Sequence, residues 1–295
     1  QKWDITTGIP DLTGKVAIGA KVYVGARNAQ KAQDAIFEMR NGLSTIREGK
    51  LLPLAMDLGN LSEVQKVAQA FVGRETRLDI LVNNAGLLAR PLDKDVNGIS
   101  VSFVTNHLAP FLFTTELLPL LKKTATSHPG VRIVTVSSTT HAIPPNGIQL
   151  DSIATFNQEL GGINDFYSNI SRYGLSKLAN LLFTKELQKR LDVEGVQAVA
   201  IALHPGGVRT VGSINFVGPN NLSKLDESLN PVDGALTPLF AATNNIVWVE
   251  KEKYGGAYLM PFGVIEEPSE NARNPELARQ LWLTSEQVVK NVLAN

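Results

Sequence analysis

Short apolar runs alternate along this chain with segments of helical pattern, and this alternation limits the fold more than any other feature. The runs have no polar residue at every second position, which is typical of strands covered on both faces. Strands separated by helices predict βαβ units and a parallel sheet, so the expected class is α/β. The predicted strands are Val16–Ile18, Val22–Val24, Leu51–Met56, Ile80–Val82, Val131–Val136, Val196–Leu203 and Ala257–Met260. The predicted helices are Asn28–Glu38, Ser62–Phe71, Val101–Leu121, Tyr173–Leu191 and Pro275–Val292.

The chain is expected to be one domain. No repeat, low-complexity tract or linker divides its 295 residues, so we expect residues 1–295 to form a single domain with no second one. Two stretches, Thr139–Asn169 and Thr210–Leu236, are rich in Gly, Pro, Asn and Ser. They are predicted to be long loops above the strand ends that shape a pocket for a small-molecule substrate.

Composition excludes several function classes. Lys plus Arg and Asp plus Glu both number 28, which gives no electrostatic reason to expect nucleic acid or an anionic membrane as partner. The absence of cysteine excludes disulfides, thiolate catalysis and zinc–thiolate sites, and no metal site is expected. The most apolar stretch, His107–Leu121, is interrupted by polar residues and two prolines, so no transmembrane segment is expected. Homo-oligomerisation is compatible with the sequence.

The cysteine content also suits a reducing compartment, so a cytoplasmic location is expected. The first residue is Gln1 rather than Met, which leaves open a targeting segment upstream.

The strongest local signal for chemistry is the pair Tyr173 and Lys177, four residues apart in a predicted helix. This spacing places phenol and ammonium on one face of the helix, one turn apart. A nearby cation is expected to lower the phenol pKa from its usual value of about 10, which makes Tyr173 a usable proton donor and acceptor. The alternative is an exposed Tyr and Lys on an amphipathic helix.

Other polar residues fall at strand ends or in apolar surroundings. Ser138 follows the strand Val131–Val136, at the edge where open α/β sheets bind ligands. Asn84 follows another strand, although this amide could equally cap a turn. Asn106 lies in an apolar helix, where the alternative is a hydrogen-bonded core amide. The segment His204–Thr210 follows a further strand and indicates a turn at which backbone approaches a ligand.

Together these motifs resemble the classical short-chain dehydrogenase/reductase family. NNAG at 83–86, Asn106, Ser138, YxxxK at 173–177 and the Pro-Gly turn at 205–206 occur in the family's order. The resemblance runs from about Asp11 to Leu283 and is closest to the retinol-dehydrogenase and WW-domain-oxidoreductase-like branch. It implies a Rossmann-like doubly wound parallel sheet and an NAD(P)-dependent oxidoreductase that interconverts an alcohol and a carbonyl compound.

The resemblance also implies residue roles. Tyr173 would be the catalytic acid/base, and Lys177 would lower its pKa and hold the nicotinamide ribose. Ser138 would hydrogen-bond the substrate oxygen, and Asn106 would support a water-linked proton relay to Lys177. Asn84 would lie beside the cofactor. Val208 and Thr210 would contact the carboxamide end of the nicotinamide.

Two strand ends bear on the choice of cofactor. Arg27 follows the strand Val22–Val24, where the family recognises the adenosine ribose, and a guanidinium there favours a 2′-phosphate and hence NADP over NAD. The alternative is a solvated loop residue. Asp57 and Leu58 resemble the pair that contacts adenine, although Asp57 could instead cap the helix predicted to begin near Ser62.

The chain departs from the family at its first crossover. The family has a TGxxxGxG loop and a helix between its first two strands, whereas only three residues separate Ile18 from Val22. A parallel crossover needs about a dozen residues or more. Nowhere in the chain are two glycines separated by a single residue. The junction is compatible with an omitted loop, a splicing or gene-prediction deletion, or a protein that has lost the loop.

These observations leave two competing functions. The leading one is an NADP-dependent oxidoreductase for a lipophilic alcohol or carbonyl compound, since the pocket-forming stretches are rich in Ile, Phe, Val and Leu. The other is an inactive scaffold or binding protein that keeps the fold and has lost the phosphate loop. A dinucleotide sensor ranks last, because it would keep the cofactor site and lose the catalytic groups.

We expect the chain as printed to bind NADPH very weakly and to show little or no turnover. Hydrogen bonds to charged groups contribute roughly 1.5–3 kcal/mol each, so loss of two or three weakens binding by about 10³-fold or more. Loss of a helix also exposes apolar area, at about 25 cal/mol per Å², so a low melting temperature should accompany weak binding.

Calorimetric titration with NADPH and a thermal melt test this expectation. The control is the restored chain, defined as this sequence with a family glycine-rich loop and helix inserted between Ile18 and Gly19. Micromolar affinity and an ordinary cooperative melt of the printed chain would contradict the expectation.

Overall fold

The computed structural model describes residues 21–42 and 51–294 and contains a five-stranded sheet in the order β3-β4-β5-β6-β7. Strands β3 to β6 are parallel, and β7 pairs antiparallel to β6. Every residue of β4 and β5 is buried, as the continuous apolar runs predict. The strands are β3 Ile80–Asn83, β4 Val131–Val136, β5 Ala198–Leu203, β6 Tyr258–Met260 and β7 Val264–Glu266.

A separate two-stranded parallel sheet precedes it in sequence. Strand β1, Val22–Ala26, pairs with β2, Leu51–Ala55, with Val22 opposite Leu51. Within the described ranges, no strand joins this pair to β3. The predicted strand Val16–Ile18 and the short junction after it lie outside the described residues.

The helices lie mainly where the apolar spacing predicts them, with ends that differ by a few residues. The helix predicted to begin at Tyr173 starts earlier, at Phe166, because Asp165 accepts a hydrogen bond from Ser168 N and caps it. The helices are α1 Ala29–Gly42, α2 Leu61–Arg74, α3 Val101–Phe103, α4 Ala109–Ser127, α5 Ile153–Phe156, α6 Phe166–Val193, α7 Val211–Val217, α8 Pro231–Thr243, α9 Asn245–Val249, α10 Lys251–Tyr254, α11 Glu270–Arg273 and α12 Pro275–Ala294.

The prediction that Thr210–Leu236 is a long loop was wrong. This stretch contains α7, the 3-10 helix Pro219–Leu225 and the start of α8. Thr210 and Ser213 form a reciprocal capping box, and Pro231 occupies the first turn of α8 behind the Asn230 cap. The polar and proline residues that suggested a loop are therefore helix-start signals.

The stretch Thr139–Asn169 is also partly helical. It contains the 3-10 helix Thr139–Ala142, the short helix α5 and the first turn of α6. The predicted helix Val101–Leu121 is interrupted by a π-helical turn, Val104–Leu108, between α3 and α4. Such a turn inserts an extra residue and changes which side chains face the sheet.

The core has two layers of helices around the five-stranded sheet. On one face, α6 packs against α12, and an aromatic cluster joins them to α4. In this cluster the ring of Trp282 lies 5.1 Å from that of Phe111 and 5.8 Å from that of Phe183. On the other face, α8 contributes Phe240 and Ala241 to a second apolar cluster. Among the described helices, none is long and apolar enough to cross a bilayer.

Candidate active site

The carboxyl edge of the five-stranded sheet brings together the polar residues that the sequence placed at strand ends. Ser138 follows β4, Asn84 follows β3 and His204 follows β5. Parallel strands end at the same edge of a sheet, so these residues surround one opening. Helix α6 passes this edge and carries Tyr173 and Lys177.

Lys177 is held under the end of β4. The residue is 4% exposed, and its Nζ donates to the carbonyl of Val136 at 2.9 Å. Its own backbone carbonyl accepts a hydrogen bond from Ser137 Oγ at 2.8 Å. Burial lowers the pKa of Lys177 to about 8. The ammonium is therefore fixed in place but destabilised by its surroundings.

Tyr173 lies next to this lysine, as the four-residue spacing predicts. The Lys177 Nζ is 5.6 Å from the centroid of the phenol ring. Burial raises the pKa of Tyr173, while a hydrogen-bonding interaction with Ser138 opposes the shift. The pKa of Tyr173 is thus raised and not lowered as expected, because burial outweighs the hydrogen bond with Ser138.

Asn106 lies on the π-helical turn and is 1% exposed. Its Oδ1 accepts from Leu87 N at 2.7 Å, and its Nδ2 donates to Leu87 O at 3.0 Å and to Ser176 Oγ at 2.9 Å. The alternative of a hydrogen-bonded core amide is thus confirmed for this side chain. Its geometry joins the segment after β3 to helix α6, and a part in a proton relay stays a prediction.

Gly86 is the point at which these groups converge. A Cβ atom placed on it would lie 3.2 Å from Asn106 Oδ1 and 3.3 Å from Lys177 Nζ. Only glycine leaves this space open. The small-residue turn Asn83–Gly86 was the signal for a special position, but the sequence did not indicate that its last glycine borders Lys177.

A cleft of about 720 Å³ lies between the two-stranded sheet and β3. It is lined by Arg27, Asp57, Leu58 and Asn84, and it reaches Gly86. Arg27 is exposed and forms no ion pair with another described residue. The structure therefore brings together the three residues predicted for the adenosine half of a cofactor site, Arg27, Asp57 and Leu58, with Asn84, which was predicted to lie beside the cofactor.

Asp57 does not cap the next helix, which was the alternative for this residue. The cap of α2 is Asn60, whose side chain accepts from Glu63 N. Asp57 Oδ1 instead accepts from Gly59 N at 2.9 Å and shapes the turn after β2 at the cleft wall.

Val208 and Thr210 lie after β5 but do not line this cleft. Val208 forms a bridge with Leu229, and its side chain packs so closely on Gly234 that a Cβ there would overlap it. Thr210 is the N-cap of α7. In this structure both residues organise the segment that follows β5, and their contact with a cofactor stays a prediction.

An aromatic group stands at the start of α6. Phe166 stacks on Phe216 of α7 with ring centroids 6.2 Å apart, and its ring also meets that of Tyr167 edge to face at 5.7 Å. All three rings are substantially exposed. We call Phe166, Tyr167 and Phe216 the aromatic mouth. It links the two stretches predicted to shape the substrate pocket.

Arg172, next to Tyr173, was missed by the sequence analysis. Its guanidinium donates to the carbonyls of Glu159, Gly162 and Ile163 and to Asn169 Oδ1. Arg172 is 5% exposed and holds the loop that leads to the aromatic mouth. No pattern of spacing marks such a residue, because three of its four acceptors are backbone carbonyls.

Comparison with known proteins identifies the chain as a member of the short-chain dehydrogenase/reductase family. The family model described as short chain dehydrogenase matches residues 13–149. A short-chain dehydrogenase/reductase of Armillaria gallica is 40% identical over 281 residues, covering 92% of this chain and 86% of that protein. Retinol dehydrogenase 14 of Homo sapiens is 34% identical over 290 residues, covering 92% and 80%. The crystal structure of an uncharacterised protein from Mycobacterium paratuberculosis superposes with a TM-score of 0.71 at 28% identity, covering 98% of both chains.

The buried charge of Lys177 predicts a stability effect. Because its folded pKa of about 8 lies below the usual 10.5, the charged form costs roughly 3 kcal/mol at neutral pH. Lys177→Met should therefore raise the melting temperature of the cofactor-free protein by several degrees at pH 7. Above pH 8 the folded protein releases this proton first, so stability of the wild type rises with pH and the difference should shrink toward pH 10.5.

Calorimetric melts from pH 7 to pH 10 measure this effect. The matched control is Lys189→Met on the same helix, where the side chain is 60% exposed and little change is expected. A Lys177→Met protein that melts below the wild type at pH 7 would contradict the interpretation.

Proposed function

Because the chain belongs to the short-chain dehydrogenase/reductase family and is an NAD(P)-dependent oxidoreductase, we propose that it interconverts an alcohol and a ketone or aldehyde using NADP(H). The observation that carries the proposal is the arrangement at Gly86. A Cβ atom on this glycine would lie 3.3 Å from Lys177 Nζ, and the cleft with Arg27 reaches the same glycine. Lys177 lies beside Tyr173, which in turn interacts with Ser138. We further propose that the whole chain acts as one domain, since its cofactor half and its catalytic half meet there.

The described residues fit a nicotinamide dinucleotide at both of its ends. At one end, Gly86 leaves the space beside Lys177 open, so Lys177 would hold the nicotinamide ribose. At the other end, Asp57 and Leu58 would contact adenine, and Arg27 would meet a 2′-phosphate. Asn84 also lines the cleft. The usual glycine-rich cradle for the pyrophosphate is absent from the sequence, so binding would rest on these two ends.

When bound, the nicotinamide supplies a hydride to a carbonyl carbon or accepts one from a carbinol carbon. Tyr173 moves the proton at the substrate oxygen, giving it in reduction and taking it in oxidation. Its raised pKa keeps the phenol protonated at neutral pH, which suits the donor role. Ser138 holds the same oxygen by its hydroxyl. Lys177 supplies a positive charge that stabilises the phenolate when the proton leaves.

The substrate we propose is lipophilic. The aromatic mouth presents Phe166 at 58% and Tyr167 at 81% exposure, and exposed aromatic clusters of this kind mark binding sites for apolar ligands. Leu88 lies 3.8 Å from the position of a Cβ on Gly212, which places α7 over the segment that follows Gly86. One relative is named a retinol dehydrogenase, and retinol is an alcohol with a long apolar chain.

One observation favours a second function, a binding protein that has lost catalysis. It is the missing phosphate loop, without which cofactor affinity falls. Against it stands the geometry at Gly86, which has no evident use in a scaffold. The restored chain separates the two, since turnover by this form supports an enzyme and its absence supports a scaffold.

Replacement of the acid/base tests the mechanism. Tyr173→Phe in the restored chain keeps the ring and removes the transferable proton, so kcat should fall by roughly 10²–10⁴-fold with cofactor affinity little changed. Tyr167→Phe is the matched control, since it makes the same change on an exposed residue of α6. Activity of Tyr173→Phe near that of the control would exclude the proposed proton transfer.

Charge reversal tests the choice of cofactor. We expect the restored chain to prefer NADPH in kcat/KM, and Arg27→Asp to shift the preference toward NADH, because a carboxylate repels the 2′-phosphate and accepts from the ribose hydroxyls. Lys31→Asp makes the same change of charge on α1, away from the cleft lining. A wild-type preference for NADH, or equal shifts in both variants, would count against Arg27.

A further inference from the structure

His141 takes no part in the mechanism above, yet it is buried beside the catalytic serine. The residue is 4% exposed and lies in the 3-10 helix Thr139–Ala142, immediately after Ser138. We call residues 138–142 the serine turn. Its position decides where the Ser138 hydroxyl lies relative to Tyr173, because the last hydrogen bond to β5 is made one residue earlier, from Ser137 N to the Leu203 carbonyl.

Both ring nitrogens of His141 are used, and together they fix the proton. Ser269 N donates to Nε2 at 3.1 Å, so Nε2 must be an acceptor. Nδ1 therefore carries the hydrogen and donates to the Ser138 carbonyl at 2.7 Å. One neutral imidazole joins Ser138 to Ser269, which lies 128 positions after His141 in the sequence.

Ser269, the residue at the other end of this bridge, lies next to a segment that is also hydrogen-bonded to the serine turn's neighbours. Ser269 precedes α11, in which Asn271 donates to the carbonyls of Pro144 and Pro145 just beyond the serine turn. The imidazole also packs edge to face on Tyr258 of β6, with centroids 4.9 Å apart. The serine turn is thus tied to the β6–β7 end of the molecule by both polar and aromatic contacts.

On its other side the serine turn presses against α6. A Cβ atom on Gly174 would overlap the Thr140 carbonyl oxygen, so helix and turn are in direct backbone contact one residue after Tyr173. This contact determines the distance between the serine turn and α6. The His141 bridge determines the position of the serine turn along α6, because it links the Ser138 carbonyl to Ser269 on the side of the turn away from the helix.

We propose that His141 is a positioning residue that holds Ser138 against Tyr173 through its bridge to Ser269. The inference rests on the proposed function for its catalytic meaning. The geometric claim, that loss of the bridge moves Ser138 away from the phenol, can be measured without cofactor or substrate.

The first test determines the tautomer in the wild-type chain. ¹⁵N NMR of the histidine rings should show His141 as the neutral form with hydrogen on Nδ1, assigned by comparison with His141→Gln. A hydrogen on Nε2 would overturn the proposal, because Ser269 N could then not donate to that atom. The tautomer is measured on the wild-type chain, and the His141→Gln variant serves only to assign the signal.

The second test follows Tyr173 by ¹³C NMR of ring-labelled tyrosine, assigned with Tyr173→Phe. His141→Phe keeps an aromatic ring against Tyr258 and removes both hydrogen bonds. It should raise the midpoint of the Tyr173 titration by half a pH unit or more, because the Ser138 interaction that opposes burial is weakened. His141→Gln retains one donor and one acceptor, so its Tyr173 midpoint should lie between those of the wild type and His141→Phe.

The control is Val289→Ala, which opens a cavity in the buried face of α12 and lowers stability away from the serine turn. A wild-type titration in His141→Phe, or an equal shift in Val289→Ala, would overturn the positioning role. In the restored chain, His141→Phe should lower kcat about tenfold with KM for cofactor unchanged. A shifted titration without any turnover in the restored wild type would count against the proposed function and not against the bridge.

Discussion

The docking of α6 against the carboxyl end of β4 is the contact on which the rest of the site depends. It is made by backbone, at Gly174 on Thr140, and by the Lys177 ammonium on the Val136 carbonyl. A lysine placed this deep loses hydration and gains a single strong acceptor, which is why its pKa falls. The free-energy cost of burying this ammonium is offset because α6 has a large apolar face buried against α12 and the sheet. Packing thus stabilises a charge that would not be stable by itself.

Much of this could be predicted from the sequence, and the reasons are local. The strand Val131–Val136 was predicted with its observed ends, because continuous β-branched runs mark a strand buried on both faces. Asn84 and Ser138 each follow a predicted strand, which placed them at one sheet edge, because parallel strands end together. The four-residue spacing of Tyr173 and Lys177 gave their adjacency directly.

Other features could not be predicted because they arise from contacts between distant segments. The raised pKa of Tyr173 comes from burial by surrounding residues, which a model based on one neighbouring cation omits. The π-helical turn at Asn106 depends on tertiary packing. The helices within Thr210–Leu236 are a different case, because their caps, Thr210 and Asn230, are local residues of types that also suit loops. No sequence spacing marks His141, because its partner Ser269 lies 128 residues away.

The positions of the candidate site residues connect the fold to the question of activity. Ser138 follows β4 and Tyr173 and Lys177 lie on α6, whereas Arg27 follows β1 and Asp57 follows β2. The cleft between these two groups of residues is where a dinucleotide would have to extend, from Gly86 to Arg27. The residues proposed for adenosine recognition and for proton transfer therefore follow different strands and helices, so cofactor affinity and proton transfer should respond separately to substitution.

Isotope transfer tests the central claim most directly, namely that the opening at Gly86 is a site of hydride exchange. The restored chain would be incubated with NADPH deuterated at the transferable C4 position and a panel of apolar ketones and aldehydes, and the products analysed by mass spectrometry. We expect an alcohol that carries one deuterium on the carbinol carbon, formed by the wild type and not by Tyr173→Phe. Alcohol formed without deuterium, or formed equally by both proteins, would contradict it.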